Sequence, residues 1–288
     1  MPSRLTGRRL LRAASVLTPL LGTALAAPIA LAAPAGAAAP TATAAVNEYG
    51  WHLTYTAAPG QANKVAVTHS HTGDRSGFVF VIDDVVPVTA GNGCAHPDGK
   101  DLTKISCTVE APESQSPLES LEMDLGDGAD TASYTNATEQ IYYFATVDLG
   151  PGNDTWTGTT GSAVDGSSVR GGTGDDTLTA GALAYAGGGD GADTLRSDRG
   201  GSIVDGGAGD DSLRGGKGDQ ILRGDDGDDT VHGGDRNDEL YGGRGDDVLH
   251  GNSGDDLMWG NSGDDELYGG PGRDTLSGGP GRNIVRQD

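Results

Sequence analysis

The sequence repeats itself every nine residues from Gly188 to Arg286. Eleven frames follow one another without insertion, among them GGAGDDSLR and GGRGDDVLH, and a twelfth frame, GGTGDDTLT, begins at Gly171. Looser copies at wider spacing begin at Leu125 and Leu149. A short fixed period indicates a solenoid, since one repeat cannot bury its apolar side chain alone and must stack on its neighbours. The tract therefore predicts thin layers stacked along one axis.

Composition supports thin layers and excludes several classes of function. The 288 residues include 50 Gly but only 3 Phe, 3 Trp and 8 Tyr, which are too few large apolar side chains to fill one thick core. The formal net charge is -23 and the pI about 4.3, so phosphate backbones and anionic lipids would be repelled. We therefore predict no nucleic-acid partner, no membrane insertion of the mature chain, and cations as the natural partners.

The frames resemble the RTX, or haemolysin-type, calcium-binding nonapeptide G-G-x-G-x-D-x-U-x, in which U is apolar. The strict match covers 188–286, and a looser match extends back to about Leu118. This resemblance implies a parallel β-roll in which six residues of each frame turn, three form a short strand, and Ca²⁺ is held in the turns. We therefore predict an all-β chain, with a regular β-roll or β-solenoid over 188–286, irregular solenoid coils over 118–187, and a small N-terminal β region.

Position eight of every frame is apolar. Because neighbouring side chains on a strand face opposite sides, position eight is predicted to point inward while positions seven and nine point outward. Two frames would form one coil of 18 residues, with strands stacked about 4.8 Å apart. The predicted inward side chains are Leu195, Val204, Leu213, Leu222, Val231, Leu240, Leu249, Met258, Leu267, Leu276 and Val285.

Position six carries Asp in two columns that follow from this coil length. Carboxylates stacked about 5 Å apart repel by roughly 0.8 kcal/mol even at the dielectric constant of water. Calcium, which accepts 6 to 8 oxygen ligands, would reverse the sign. The resemblance implies that each ion takes Asp carboxylates from frames two apart, together with backbone carbonyls. The candidate ligands, which form six well-spaced pairs, are Asp193, Asp211, Asp229, Asp247 and Asp265 in one column and Asp238, Asp256 and Asp274 in the other, with Asp176 added upstream.

Some frames depart from the pattern. Position six is not Asp at Ser202, Gln220 and Asn283, where we predict weak or absent sites. Arg236 stands where the frame usually has its third Gly, which puts the geometry of that turn in doubt. Whether the more widely spaced Asp130 and Asp154 bind calcium stays open.

The N-terminus predicts export. Arg4, Arg8, Arg9 and Arg12 precede an Ala-rich apolar run and small-residue triplets, which is typical of a signal peptide. A membrane anchor is disfavoured because the run is shorter than the ~20 residues that span a bilayer. We predict a signal peptide at 1–32, an Ala/Pro-rich linker at 33–45 and a secreted, extracellular protein; the general secretory and twin-arginine routes both stay open.

Residues 46–117 read as short strands, for example 64–68 and 78–82, separated by turn residues. They predict either a small β domain or a cap on the solenoid. Cys94 and Cys107 are the only cysteines, so a disulfide is expected in an exported protein. His69 and His71 share a strand face but lack a third metal ligand, and a solvated face is favoured over a zinc site.

No motif for catalysis is present, since the sequence has neither H-E-x-x-H nor G-x-S-x-G. We predict that the protein is not an enzyme and that its repeat tract binds about six Ca²⁺ and folds on binding, because eleven small apolar side chains poorly offset the entropy of ordering the tract. The alternative is an extracellular β-solenoid enzyme or adhesin that acts on or binds polysaccharide. The aromatic side chains at position nine are expected to pack across strands rather than to form a sugar platform.

Overall fold

The computed structural model describes residues 40–111, 118–140, 143–161 and 164–287. The predicted signal peptide and residues 33–39 of the predicted linker lie outside these ranges. All regular secondary structure in the described ranges is β-strand, as predicted. The same ranges contain no helix that is long and apolar enough to span a bilayer.

Short strands alternate with Gly-rich turns along the described chain, because each frame supplies only a few extended residues before its next turn. Each strand of the repeat tract is three to six residues long. In chain order the strands are β1 Ala42–Val46, β2 Leu53–Thr56, β3 Lys64–His71, β4 Gly77–Asp83, β5 Val88–Ala90, β6 Cys94–Ala95, β7 Lys104–Glu110, β8 Leu118–Asp124, β9 Thr131–Asn136, β10 Tyr143–Pro151, β11 Thr155–Thr157, β12 Ser168–Thr173, β13 Thr177–Ala180, β14 Tyr185–Asp190, β15 Thr194–Ser197, β16 Ile203–Ala208, β17 Ser212–Arg214, β18 Ile221–Asp226, β19 Thr230–Asp235, β20 Glu239–Arg244, β21 Val248–Ser253, β22 Leu257–Ser262, β23 Glu266–Tyr268, β24 Thr275–Ser277 and β25 Ile284–Arg286.

The strands form two long sheets that face each other across the core. The first sheet has the order β24-β22-β20-β18-β16-β14-β12-β10-β8-β2-β1-β5, and the second has the order β25-β23-β21-β19-β17-β15-β13-β11-β9-β3-β4-β7-β6. From β8 onward every pairing within the described sheets is parallel, and Leu195 pairs with Leu213, which pairs with Val231. This offset of 18 residues confirms that two frames make one coil of a parallel β-solenoid.

The core of the solenoid is a single line of apolar side chains on each sheet. The position-eight side chains from Leu195 to Leu267 are fully buried, as predicted. Leu276 is half-buried and Val285 is 47 % exposed, because no described coil follows to cover them. The line on the second sheet continues upstream through Leu178 and Trp156.

The N-terminal strands, β1 to β7, close the N-terminal end of the solenoid. β2 pairs in parallel with β8, and β3 pairs in parallel with β9, so both sheets run on into this region. Beyond them the pairing becomes antiparallel, in β1 with β2 and in β3-β4-β7-β6. Residues 40–111 therefore form a cap that shares the solenoid's core, and we call them the cap below. The linker predicted at 33–45 extends too far, because Ala42 and Ala44 are buried in β1.

Two features of the cap bear on the sequence predictions. Cys94 and Cys107 lie opposite each other on β6 and β7 and form the predicted disulfide. His69 does not lie on a solvated face, so that interpretation is wrong. Its ring is fully buried, stacks on Phe80 at 4.3 Å between centroids, and hydrogen-bonds through Nδ1 to the Tyr134 hydroxyl at 2.8 Å. Burial lowers the pKa of His69 to about 3, which keeps it a neutral core residue.

Candidate metal centre

The turns that lead into the second sheet stack eight buried Asp side chains in one column. From Asp154 to Asp265, each carboxylate accepts at Oδ1 the backbone N–H of the Asp one coil earlier, at 2.7 to 3.1 Å. At the two ends, Asn63 N–H donates to Asp130 Oδ1, and Asp265 N–H donates to Asn283 Oδ1. The members of this first column are Asp130, Asp154, Asp176, Asp193, Asp211, Asp229, Asp247 and Asp265.

The structure brings Asp130 and Asp154 into the first column although their spacing in the sequence is irregular. The steps between successive members are 24, 22 and 17 residues before the regular 18 begins. The change in coil length is taken up on the other edge of the solenoid, in the connections between β9 and β10 and between β11 and β12. The nine-residue period identified only part of this column. The Asp side chains stack because the turns on their own edge of the coil are alike, even where the total number of residues per coil differs.

The turns that lead into the first sheet form a second, shorter column. Asp238, Asp256 and Asp274 each accept at Oδ1 a backbone N–H from one coil earlier, at 2.8 to 2.9 Å. Arg236 adopts a left-handed φ of 80° in place of the usual Gly, and the turn keeps the same hydrogen bonds. Asp274, in the last turn of this column, is half-buried, and its Oδ2 accepts a hydrogen bond from the Gln287 side chain at 2.8 Å.

The second column stops where the sequence departs from the pattern. The Ser202 hydroxyl lies 2.8 Å from the Gly181 carbonyl and 2.9 Å from the Arg199 carbonyl, and no carboxylate takes its place. The Gln220 side-chain amide is buried with neither its nitrogen nor its oxygen paired. These two turns lack the anionic oxygen that the other turns of the column provide.

The Oδ2 atom of each buried Asp in the two columns has no hydrogen-bond partner. Orphan buried Oδ2 atoms occur throughout both columns, at Asp130, Asp154, Asp176, Asp193, Asp211, Asp229, Asp238, Asp247, Asp256 and Asp265. Buried polar atoms are normally paired, so a repeated set of orphans indicates a missing partner. Since carboxylate oxygens only accept, that partner is a cation or a proton donor.

A backbone carbonyl of the neighbouring coil faces the same space as the orphan oxygen in the regular turns from Asp176 to Asp256. A methyl carbon placed on Gly188, the first residue of its frame, would lie 2.1 Å from Asp193 Oδ2 and 2.6 Å from the Gly206 carbonyl oxygen. Gly224 repeats this arrangement with Asp229. The first Gly of the frame is required because any side chain would fill the space on which the two oxygens converge. The resulting donor set consists only of hard oxygens, which suits Ca²⁺ and not Zn²⁺.

Burial makes the charged form of these carboxylates costly. Desolvation, with the neighbouring carboxylates as a smaller cause, raises the pKa of Asp211 and Asp247 to about 7. Desolvation likewise raises the pKa of Asp238 to about 7 and that of Asp229 to about 6. Without a cation, some of the carboxylates in the two columns are therefore protonated, and so uncharged, near neutral pH.

The aromatic side chains at position nine stack on one another on the outer faces. His232 and His250 have ring centroids 4.7 Å apart, and Tyr241 and Trp259 are also 4.7 Å apart, with the ring planes nearly parallel in both pairs. Parallel stacking covers the ring faces and presents ring edges to solvent. The expected cross-strand packing is therefore what the structure contains.

One further cluster is brought together by strand pairing and was missed in the sequence. His52, Glu119 and Glu122 meet where β2 lies beside β8. His52 Nε2 lies 3.4 Å from a Glu122 carboxylate oxygen, and its Nδ1 lies 3.2 Å from the Glu119 carbonyl. No spacing rule joins residues 67 and 70 positions apart. These contacts form a small hydrogen-bonded cluster between neighbouring segments.

Fold and site together define a parallel β-solenoid whose turns stack buried carboxylates and backbone carbonyls. Comparison with known families agrees with this description. The RTX calcium-binding nonapeptide repeat matches the chain in four copies, at residues 166–182, 187–222, 223–258 and 250–285. The tract is thus built of RTX repeats, as its resemblance predicted. No curated protein matches the chain.

Proposed function

We propose that the protein binds Ca²⁺ between successive coils of the solenoid. The observation that carries this proposal is the orphan Oδ2 of the buried column Asp residues, which in the turns from Asp176 to Asp256 faces a backbone carbonyl of the neighbouring coil. Calcium at these positions would supply the missing partner and neutralise the stacked charge. The candidate ligands are the carboxylates of both columns, including the predicted Asp176, Asp193, Asp238 and Asp274.

The number of ions follows from the number of neighbouring Asp pairs. The regular tract contains the six pairs expected from its spacing. Three more pairs upstream, from Asp130 to Asp193, share the hydrogen bond that defines the column. We propose about six sites in the regular tract, with the upstream turns as additional, weaker sites.

Calcium would also be the folding signal of the repeat tract. Each frame from 188 to 268 buries one apolar side chain, while Asp side chains fill a second buried position in many of these frames. Burying carboxylates without a compensating charge opposes folding. Extracellular sites of this class bind with Kd values of about 10⁻⁴ to 10⁻³ M, so a protein exported as its N-terminus predicts would fold in calcium-rich surroundings.

A calcium titration with matched variants tests the proposal. We expect Asp229→Ala to remove about two equivalents of Ca²⁺, since Asp229 neighbours Asp211 on one side and Asp247 on the other. The control is Asp228→Ala, the adjacent exposed acid, whose carboxylate accepts a backbone N–H from Asp246 and has no orphan buried oxygen. Isothermal titration calorimetry gives the stoichiometry. Equal losses in the two variants would reduce calcium binding to a nonspecific effect of net charge.

A further inference from the structure

The outer face of the second sheet carries a cluster of cations in a strongly acidic protein. Arg196 on β15 and Arg214 on β17 are exposed and paired side by side on adjacent rungs. Arg199 and Lys217, in the turns that follow these strands, are also paired. We call these four residues the cationic strip. Stacked like charges repel, so such an arrangement in a chain of net charge -23 calls for a physical reason.

The cationic strip lacks the acidic partners that other arginines of the solenoid have. Arg223 pairs with Asp205 at 3.0 Å, Arg244 pairs with Asp226 at 2.9 Å, and Arg282 pairs with Asp264, in each case with an acid one coil earlier. Among the described residues, no ion pair involves any member of the strip. The charge of the strip is therefore available to an external anion.

Two adjoining clefts lie along the strip. The larger, of about 520 Å³, is lined by Arg196, Arg199 and Lys217 together with the hydroxyl side chains of Thr160 and Thr179. The smaller, of about 430 Å³, shares Arg196 and Lys217 and adds Arg214 and His232. The acids at their edges are Asp198, whose carboxylate accepts the Gly161 N–H at 2.9 Å, and Asp235.

One donor in the strip is buried and unsatisfied. The Nε of Arg199 has no hydrogen-bond partner among the described residues although it is shielded from solvent. An unpaired buried donor destabilises the protein unless a ligand supplies an acceptor. Arg199 also lines the larger cleft, so its guanidinium group is one of the cations that an anion bound there would meet.

The turns that carry Arg199 and Lys217 also lack the position-six Asp of the second column. Arg199 shares a frame with Ser202, and Lys217 shares a frame with Gln220, the two positions at which the second column is interrupted. The outward positions beside Arg196 and Arg214 are the hydroxyl residues Thr194 and Ser212. This part of the solenoid has therefore exchanged acids for cations and neutral hydrogen-bonding groups.

We propose that the cationic strip binds the carboxylate or sulfate groups of an acidic polysaccharide. Guanidinium groups recognise such anions through paired N–H donors, and the neighbouring hydroxyls suit a polymer rich in hydroxyl groups. The strip consists of two adjacent stacked pairs of cations and is bordered by turns rich in acids, so it accommodates a narrow chain better than a nucleic-acid duplex. His232, one rung beyond Arg214, stacks on His250, so charge and hydrogen bonds, and not a free aromatic platform, provide recognition.

The test uses the calcium-loaded full chain at fixed calcium and salt. The probes are short polygalacturonate oligomers, a sulfated heparin oligomer, neutral dextran and a single-stranded oligonucleotide. We expect binding to at least one acidic oligomer and none to dextran. The double variant Arg196→Gln, Arg214→Gln should bind at least about tenfold more weakly. The control Arg244→Gln, Arg282→Gln removes the same charge from exposed, acid-paired positions and should bind as the parent does.

The outcomes separate this site from the calcium columns. Calcium stoichiometry should be the same in the parent and in both double variants, because none of the four arginines belongs to a column. Selective loss of glycan binding in the strip variant supports the proposal. It is overturned by no binding of either acidic oligomer, by equal weakening in both double variants, or by binding of the oligonucleotide alone.

Discussion

The cap and the repeat tract belong to the same two sheets but are stabilised differently. The cap buries large side chains such as Tyr55, Phe78 and Phe80, and a disulfide joins β6 to β7. The repeat tract buries one aliphatic side chain in each frame from Leu195 to Leu267, and many of its turns also bury a carboxylate with an orphan oxygen. Continuous hydrogen bonding between strands therefore does not mean uniform stability.

The difference lies in what fills the interior near the turns. In the cap the buried Asp84 carboxylate is paired on both oxygens, since Oδ2 accepts the Tyr55 hydroxyl at 2.6 Å and Oδ1 accepts the Lys64 N–H at 2.9 Å. In the repeat tract the corresponding groups are paired on one oxygen only. Protein donors therefore satisfy the buried carboxylate of the cap, whereas each buried carboxylate of the repeat columns keeps one unpaired oxygen. Removing calcium should separate the two regions.

Chelation is expected to have the largest effect. With excess chelator, amides of residues 188–286 should exchange roughly a thousandfold faster or more, because the stacked carboxylates then oppose folding, while amides of β3, β4 and β7 keep their protection. Hydrogen exchange read by mass spectrometry measures both regions in one sample.

Two additional samples make the chelation experiment decisive. Returning Ca²⁺ in excess over the chelator should restore protection in the repeats, and Mg²⁺ at equal ionic strength controls for screening of charge. If the repeats and the cap remain equally protected in chelator, the solenoid folds without calcium, and the two regions do not differ in their need for the ion.

The period of the sequence was sufficient to predict the coil, the inward side chains and the regular Asp columns, because these depend on local repetition. It was insufficient for Asp130 and Asp154, whose place in the first column depends on insertions at the opposite edge. It also misassigned His69, since alternation along a strand does not tell which face is covered by Phe80 and Tyr134. The cationic strip was missed because it joins outward positions from separate frames.

Loss of the disulfide should have an intermediate effect confined to the cap. The bond closes a loop with a sequence separation of 13, and its removal in Cys94→Ala, Cys107→Ala should destabilise the cap by about 3 kcal/mol in the chain-entropy model. Denaturant unfolding of the calcium-loaded protein, followed by hydrogen exchange in β4 and β7, measures the loss. Calcium stoichiometry should stay unchanged. A matching loss of ions would mean that the cap and the distant coils unfold as one unit.

The smallest expected effect is that of pH on the calcium-free protein. Burial raises the pKa of Asp176 and Asp247 from 3.8 to about 7 in the folded state, so the folded chain binds more protons than the unfolded chain between these values. Stability from these protonated carboxylates is complete below about pH 4 and is lost as the pH rises through about 7.

Protons should therefore replace calcium in part. In chelator, circular dichroism should report more β-structure at pH 5 than at pH 8, and calcium binding near pH 6.5 should release protons, which calorimetry in buffers of different ionisation enthalpy detects. The cap serves as the internal control, because its core is mainly apolar and its β3 and β4 amides should exchange alike at both pH values after correction for the intrinsic rate. The opposite result is more β-structure at pH 8 than at pH 5 in the calcium-free repeat tract. It would show that desolvation of the buried carboxylates does not limit the folding of the tract.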